Sequence, residues 1–294
     1  MAQSTAGDIA GAQTQIQIHV PGRFNLLPER WYVHVLLWIT CLLVGFPVLY
    51  ALLVSTQTNA EVTSFQFTPG SAFHANFTSV VFERHLGRYM LNSVVLAVVV
   101  TAGKTLLSLL AGLAFVYFRF PGKWLIFGFV LATLMMPTEI LVLALFRFVS
   151  NLGWGNTFWA ISVPFVASAT GAFLFRQHFA NLPAELSEAA QLDGATPLRF
   201  LFRVLIPLSW NTIGALAVIQ FVYVWNMYLW PLLIIKNEAL QVVQVGLGSL
   251  RNVDAGLTYG PLMLAAIIAS LPPVVVFILL QKQFMSGFAI TRDK

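Results

Sequence analysis

Lys104, Glu139 and His178 are titratable residues in or beside apolar runs. An amine, a carboxylate and an imidazole are the groups of acid–base and nucleophilic catalysis. They are scattered along the chain, however, with no pair of acids at a defined spacing and no nucleophile beside a base. The single cysteine, Cys41, sits in an apolar run, so no disulfide within the chain and no multi-cysteine metal site can form. A membrane-embedded enzyme is therefore the weaker reading, and no metal or cofactor site is expected in this chain.

The same residues read better as parts of a solute path. A lone charge at the centre of a bilayer costs about 2.5–3.5 kcal/mol on insertion scales. Lys104 is then either a cation lining a path, with Glu139 as a candidate partner, or a structural lysine that is paired or reaches toward an interface. Glu139 follows Met136-Pro137-Thr138, where proline removes a backbone donor and opens a kink. A gate or a structural role suits it better than contact with an anionic solute. Gln220, Asn226 and Tyr228, near Trp225 and Trp230, offer hydrogen bonds and ring faces to a polyol. Helix–helix hydrogen bonds and an interfacial aromatic belt account for them equally well.

The elements that carry these residues are set by composition. Of 294 residues 58% are hydrophobic and 9% are charged, and mean hydropathy is +0.80. Soluble domains carry about 25% charged residues, so lipid must be the solvent for much of this chain. Six apolar stretches are long enough to cross a bilayer, at roughly Val33–Leu53, Leu91–Tyr117, Trp124–Phe146, Thr157–Phe175, Ile213–Ile235 and Leu262–Leu280. The expected class is an all-α integral membrane protein.

Charge gives the orientation. Six spans place ten Lys and Arg on the side that holds both termini, among them Arg119, Lys123, Arg176, Arg199 and Arg203, and five on the other. That bias predicts both ends in the cytoplasm. The net charge of +5 thus reports topology, and a nucleic-acid surface is not indicated. Residues 1–30 are expected to form a cytoplasmic tail, 31–288 the six-helix domain and 289–294 a second tail. The first span is expected to serve as an uncleaved start-transfer helix. Asn76-Phe77-Thr78 matches a glycosylation acceptor pattern that arises easily by chance.

One polar segment, 178–207, interrupts the apolar pattern. Pro183 fits the first turn of a short helix that runs Ala-Glu-Leu-Ser-Glu-Ala-Ala-Gln-Leu and stops near Asp193-Gly194. Leu186, Ala189 and Ala190 form its narrow apolar stripe, with Glu185 and Glu188 on another face. Thr196 reads as an N-cap with Pro197 at the first helical position of a second helix, through Arg203 to Pro207. Helix, glycine turn and helix make a lever leading into a span.

The run Glu188-Ala189-Ala190-Gln191-Leu192-Asp193-Gly194-Ala195, followed by Phe202 and Ile206-Pro207, closely resembles the loop of binding-protein-dependent ABC importer permeases of the carbohydrate and polyol branch. Phe118-Arg119-Phe120-Pro121, Ser168-Ala169-Thr170, the stretch from Trp225 to Leu233 and Pro272-Pro273 extend the likeness. Within that branch it is similar to the second permease subunits of sn-glycerol-3-phosphate importers. The tail Gly287-Phe288-Ala289-Ile290 departs from that of maltose-type members.

The resemblance implies a type I importer permease whose 183–194 helix couples to a partner ATPase. Glu185, Glu188, Ala189, Ala190, Asp193 and Gly194 are the implied coupling residues, with Glu188 as the acid of the motif and Gly194 as its turn. It implies further a paralogous permease, two copies of a cytoplasmic ATPase and an extracytoplasmic binding protein, in a bacterial inner membrane. This chain has no phosphate-cradling glycine-rich motif, so ATP and Mg belong to the partner ATPase. The implied cargo is glycerol-3-phosphate or a related glycerophosphodiester; a neutral disaccharide or oligosaccharide is the alternative.

Overall fold

Proline and glycine placement decides how far each apolar run remains one helix. The computed structural model describes residues 31–250 and 258–288, the side chains of 138, 139 and 288 excepted. Both proposed tails therefore lie outside the described residues. The chain divides into two compact units, Met1–Pro47 and Val48–Lys294. The described part of the first is the leading portion of helix α1, Trp31–Val54.

Seven further helices of eight residues or more follow among the described residues. They are α2 (Leu86–Tyr117), α3 (Lys123–Leu134), α4 (Thr138–Asn151), α5 (Ala169–Ala180), α6 (Ala184–Leu192), α7 (Trp210–Trp225) and α8 (Tyr259–Phe288). The all-helical expectation holds for these residues, which contain no strand. Four helical stretches are long and apolar enough to cross a membrane: 31–54, 86–117, 158–180 and 259–287. The pair Pro197–Leu208 and Trp210–Trp225, bent by 81°, supplies a fifth if it is one span.

Two expected spans are reshaped. The third is not one helix over Trp124–Phe146 but two, parted at Met135-Met136-Pro137. Pro137 lacks an N–H and disfavours helical geometry at Met136. It takes an extended conformation, φ −62° and ψ 126°, at the head of α4. At 1.5 Å per residue neither piece exceeds about 21 Å, too short to cross alone. The fifth stops at Trp225 rather than Ile235, because the Asn226 amide turns back to donate to the Val222 carbonyl at 2.9 Å. A separate short helix, Leu229–Ile234, follows.

Within the second unit α2 packs on α5 and α7, and α7 packs on α8. Two apolar clusters result. One joins Leu96, Val100, Ile161, Phe221, Trp225 and Ala265, and the other joins Leu109, Phe175, Phe179, Phe200, Leu205 and Leu216. The faces turned away are equally apolar, with Leu106 and Leu107 on α2 and Val274, Val275 and Ile278 on α8 all exposed. Such a surface suits hydrocarbon, not water.

Close approach depends on small residues. A Cβ at Gly112 would lie 2.7 Å from the Phe175 Cβ and 3.0 Å from its backbone carbonyl carbon, and one at Gly171 would overlap the Ser108 hydroxyl. Gly112→Ala should therefore push α2 from α5 and destabilise the chain by about 1–3 kcal/mol, read as an earlier thermal unfolding transition in detergent. An unchanged transition would show that the helices separate without strain.

The segment between α1 and α2 is a built cap, not a slack connector. Buried Gln57 donates to the carbonyls of Gln66 and Thr68 at 2.7 and 2.8 Å. Asn76 donates to those of Ser55 and Gln57 at 2.9 and 3.1 Å. Asn59 receives the Tyr259 N–H at 2.8 Å, which ties the cap to the start of α8. Asn76 is thus a buried structural amide, which explains its place in the sequence without glycosylation.

Candidate functional site

Two polar regions emerge from this frame. The first is the 178–207 loop. Pro183 stands one position ahead of the expected first turn, at the cap of α6, with φ −56° and ψ 135°. The helix ends in a full Schellman motif, in which the Ala195 N–H donates to the Ala190 carbonyl at 2.9 Å and the Gly194 N–H to that of Gln191 at 3.0 Å. Gly194 takes φ +68°, a left-handed conformation in which a Cβ is unfavourable. The Thr196 hydroxyl accepts the Arg199 N–H at 3.3 Å, as an N-cap should.

The inner face of the loop is moored and its tip is bare. Leu182 and Ala190 pack onto the Phe175–Phe179–Phe200 cluster, and Tyr117 at the end of α2 meets Phe200 edge-on at 5.2 Å. Glu185, Glu188, Asp193 and Gly194 are exposed, and Leu192 is 89% exposed. Ala189 is exposed and Leu186 and Ala190 are half-buried, but all three line one cavity of 360 Å³ with Asp193, Arg199 and Arg203, so the expected stripe holds. Past Pro207 the buried Ser209 hydroxyl donates to the Leu205 carbonyl at 2.6 Å, at the 81° bend into α7.

The second region lies among α2, α5 and α7. The Lys104 ammonium donates to the Gln220 Oε1 at 2.7 Å, and the Gln220 amide donates to the Ser168 hydroxyl at 3.3 Å. Ser168 is fixed in turn as the N-cap of α5, accepting the Gly171 N–H at 3.1 Å. Lys104 is 6% exposed and Gln220 5%, so the lysine does not reach toward an interface. Its ammonium also lies 4.4 Å from the centre of the Tyr223 ring, within cation–π reach. Glu139, the acid considered as its partner, has a side chain outside the described residues.

Asn226 and Tyr228 fall elsewhere. They line a groove of 620 Å³ with Tyr223, Phe165, Met227 and Trp230. Gln220 does not line this groove and instead faces Lys104. Trp225 and Trp230 are not an interfacial belt, because both indoles are buried and donate to carbonyls, of Ala269 at 3.1 Å and Ala160 at 3.0 Å. His178 meets the Thr212 hydroxyl at 3.3 Å through Nδ1. Sequence reasoning assigned no role to Ser168 or Tyr223. Tyr223 lies three positions past Gln220 on α7, and that spacing was the signal available for the tyrosine.

Residues 104–288, which include both polar regions, match the family model described as binding-protein-dependent transport system inner membrane component. The chain belongs to this family of inner membrane transport components. It is similar over almost its whole length to proteins named sn-glycerol-3-phosphate transport system permease protein UgpE. That of Agrobacterium fabrum is 36% identical over 89% of this chain and 96% of its own length. That of Pectobacterium atrosepticum is 37% identical over 87% and 94%. A solved bacterial ABC transporter involved in import of the acidic polysaccharide alginate shares the fold, with a TM-score of 0.75 at 22% identity over 89% of this chain and 99% of that one. A second alginate transporter structure, with a periplasmic protein bound to an alginate pentasaccharide, gives 0.58 at 17% identity over 88% and 95%. The permease is therefore a multi-pass membrane protein of a transport system.

Proposed function

We propose that this permease forms half of the membrane pore of an ATP-driven importer and passes sn-glycerol-3-phosphate or a related glycerophosphodiester. The observation that carries the reading is end-to-end similarity to permeases named for that solute. In this reading the chain crosses the membrane six times with both termini in the cytoplasm. The two pieces α3 and α4 together make the third crossing, and α7 with the short helix Leu229–Ile234 makes the fifth. A paralogous permease completes the pore, an extracytoplasmic binding protein delivers the solute, and two cytoplasmic ATPase copies hold ATP and Mg.

The α6 tip, with Glu185, Glu188, Ala189 and Asp193 exposed, is the part that docks on the ATPase. Ala190 anchors it from behind and Gly194 closes it. ATP binds the two states of the ATPase pair differently, and the moored loop transmits that difference through the bend at Ser209 to α7. Solute then meets alternately the outer and inner openings of the pore.

Affinity capture of the tagged chain from its native membrane should bring down one second permease and two ATPase chains per copy. The associated binding protein should retain glycerol phosphates. A binding protein that retains neutral saccharides and no phosphate ester would replace the cargo assignment, and capture of the chain alone would remove the importer.

A further inference from the structure

We infer that Lys104 is an anion-reading charge held behind Tyr223, and that it selects for doubly charged phosphate monoesters among the solutes entering the groove. This rests on the cargo class proposed above.

The lysine is held in place. Its ammonium is fixed by the Gln220 carbonyl oxygen, Gln220 by the Ser168 hydroxyl, and Ser168 by its capping bond to α5, so three helices position one cation. That chain of bonds is neutral from end to end. Among the described residues no carboxylate takes up the charge of Lys104, and a buried ammonium whose described partners are Gln220 and the Tyr223 ring keeps a strong pull on an anion. An ammonium offers three donors, of which Gln220 uses one.

Tyr223 connects this cation to open space. The ring lies over the ammonium at 4.4 Å, and the same residue lines the 620 Å³ groove with Asn226 and Tyr228, whereas Lys104 does not. The ring is therefore a partition one aromatic thickness wide. It is 43% exposed, and in the proposed exchange a turn about its side-chain bonds bares the ammonium to the groove. A cation–π contact is worth less than a charge-assisted hydrogen bond to phosphate, so an arriving anion displaces the ring where a neutral solute does not. A phosphate monoester carries close to two charges near neutral pH and a diester one, so the monoester gains more from the exchange.

The test uses the complete importer in proteoliposomes with saturating binding protein and compares initial uptake of glycerol-3-phosphate and of a glycerophosphodiester. Lys104→Gln keeps an amide donor for Gln220 and removes the charge. Its ratio of monoester to diester uptake should fall about tenfold, the weight of one charge-assisted hydrogen bond, and Lys104→Arg should restore most of it. Equal losses for both solutes, or an unchanged ratio, would overturn the inference.

A second measurement does not depend on transport. In a Cys41→Ser background, Lys104→Cys should react slowly with an anionic thiol reagent and at least tenfold faster when Tyr223→Ala is added. Equal rates would remove the partition. If the wild-type importer carries neither phosphate ester and takes up a neutral saccharide, the cargo assignment itself falls. If it carries both esters and the ratio ignores Lys104, only the inference falls.

Discussion

Gly194→Pro should abolish solute uptake, by at least a factor of ten, while the permease still inserts and the ATPase still turns over ATP. Proline fixes φ near −65°, whereas this position needs +68°. It also deletes the N–H that donates to the Gln191 carbonyl at 3.0 Å, and it disfavours the helical geometry of Asp193. The Schellman closure cannot form, and the end of α6 loses its direction relative to Thr196. Gly194→Ala should be much milder. A Cβ there meets nothing within 4 Å, so only the left-handed conformation is penalised, by about 1–2 kcal/mol.

Glu188→Ala separates docking from loop shape. Glu188 is exposed at the tip, away from the mooring through Leu182, Ala190 and Phe200, so its removal leaves the chain's own stability unchanged. Uptake should nevertheless fall while basal hydrolysis persists. Paired measurements of hydrolysis and uptake in proteoliposomes check both variants. Wild-type uptake in Gly194→Pro and Glu188→Ala would remove the loop from the coupling path.

Gln220→Leu carries the second large effect. It strips Lys104 of the acceptor at 2.7 Å and leaves a buried ammonium with the Tyr223 ring face, at a cost of about 2–3 kcal/mol. The expected result is earlier unfolding in detergent and poor recovery of assembled complex. Adding Lys104→Met to Gln220→Leu should recover most of that stability, since an apolar pair of similar size leaves no buried donor unmet. The double variant should still lack the monoester preference, which divides the structural role of the pair from its reading of charge. A Gln220→Leu chain as stable as the wild type would mean that the ammonium finds another partner.

The 178–207 loop was legible almost residue by residue. Pro183, Gly194, Thr196 and Pro197 each act through their own φ and ψ or through a bond to a neighbour three or four positions away, so the sequence exposes them directly. The solute path was less legible. Lys104 and Gln220 are separated by 116 positions, and no local rule joins them. Gln220 read as one of three polar groups near two tryptophans, yet it belongs with the lysine while Asn226 and Tyr228 face a groove.

By itself, the sequence determined that lipid is this chain's solvent, that one polar lever interrupts its apolar runs, and where the lever turns. Those properties follow from transfer free energy summed over a run and from backbone limits at single residues, both of which are local. Tertiary structure alone decided that the indoles of Trp225 and Trp230 are buried, and that Lys104, Gln220, Ser168 and Tyr223 meet. Those outcomes depend on how closely α2, α5 and α7 approach. Gly112 against Phe175 and Gly171 against Ser108 set that distance across the helix interfaces.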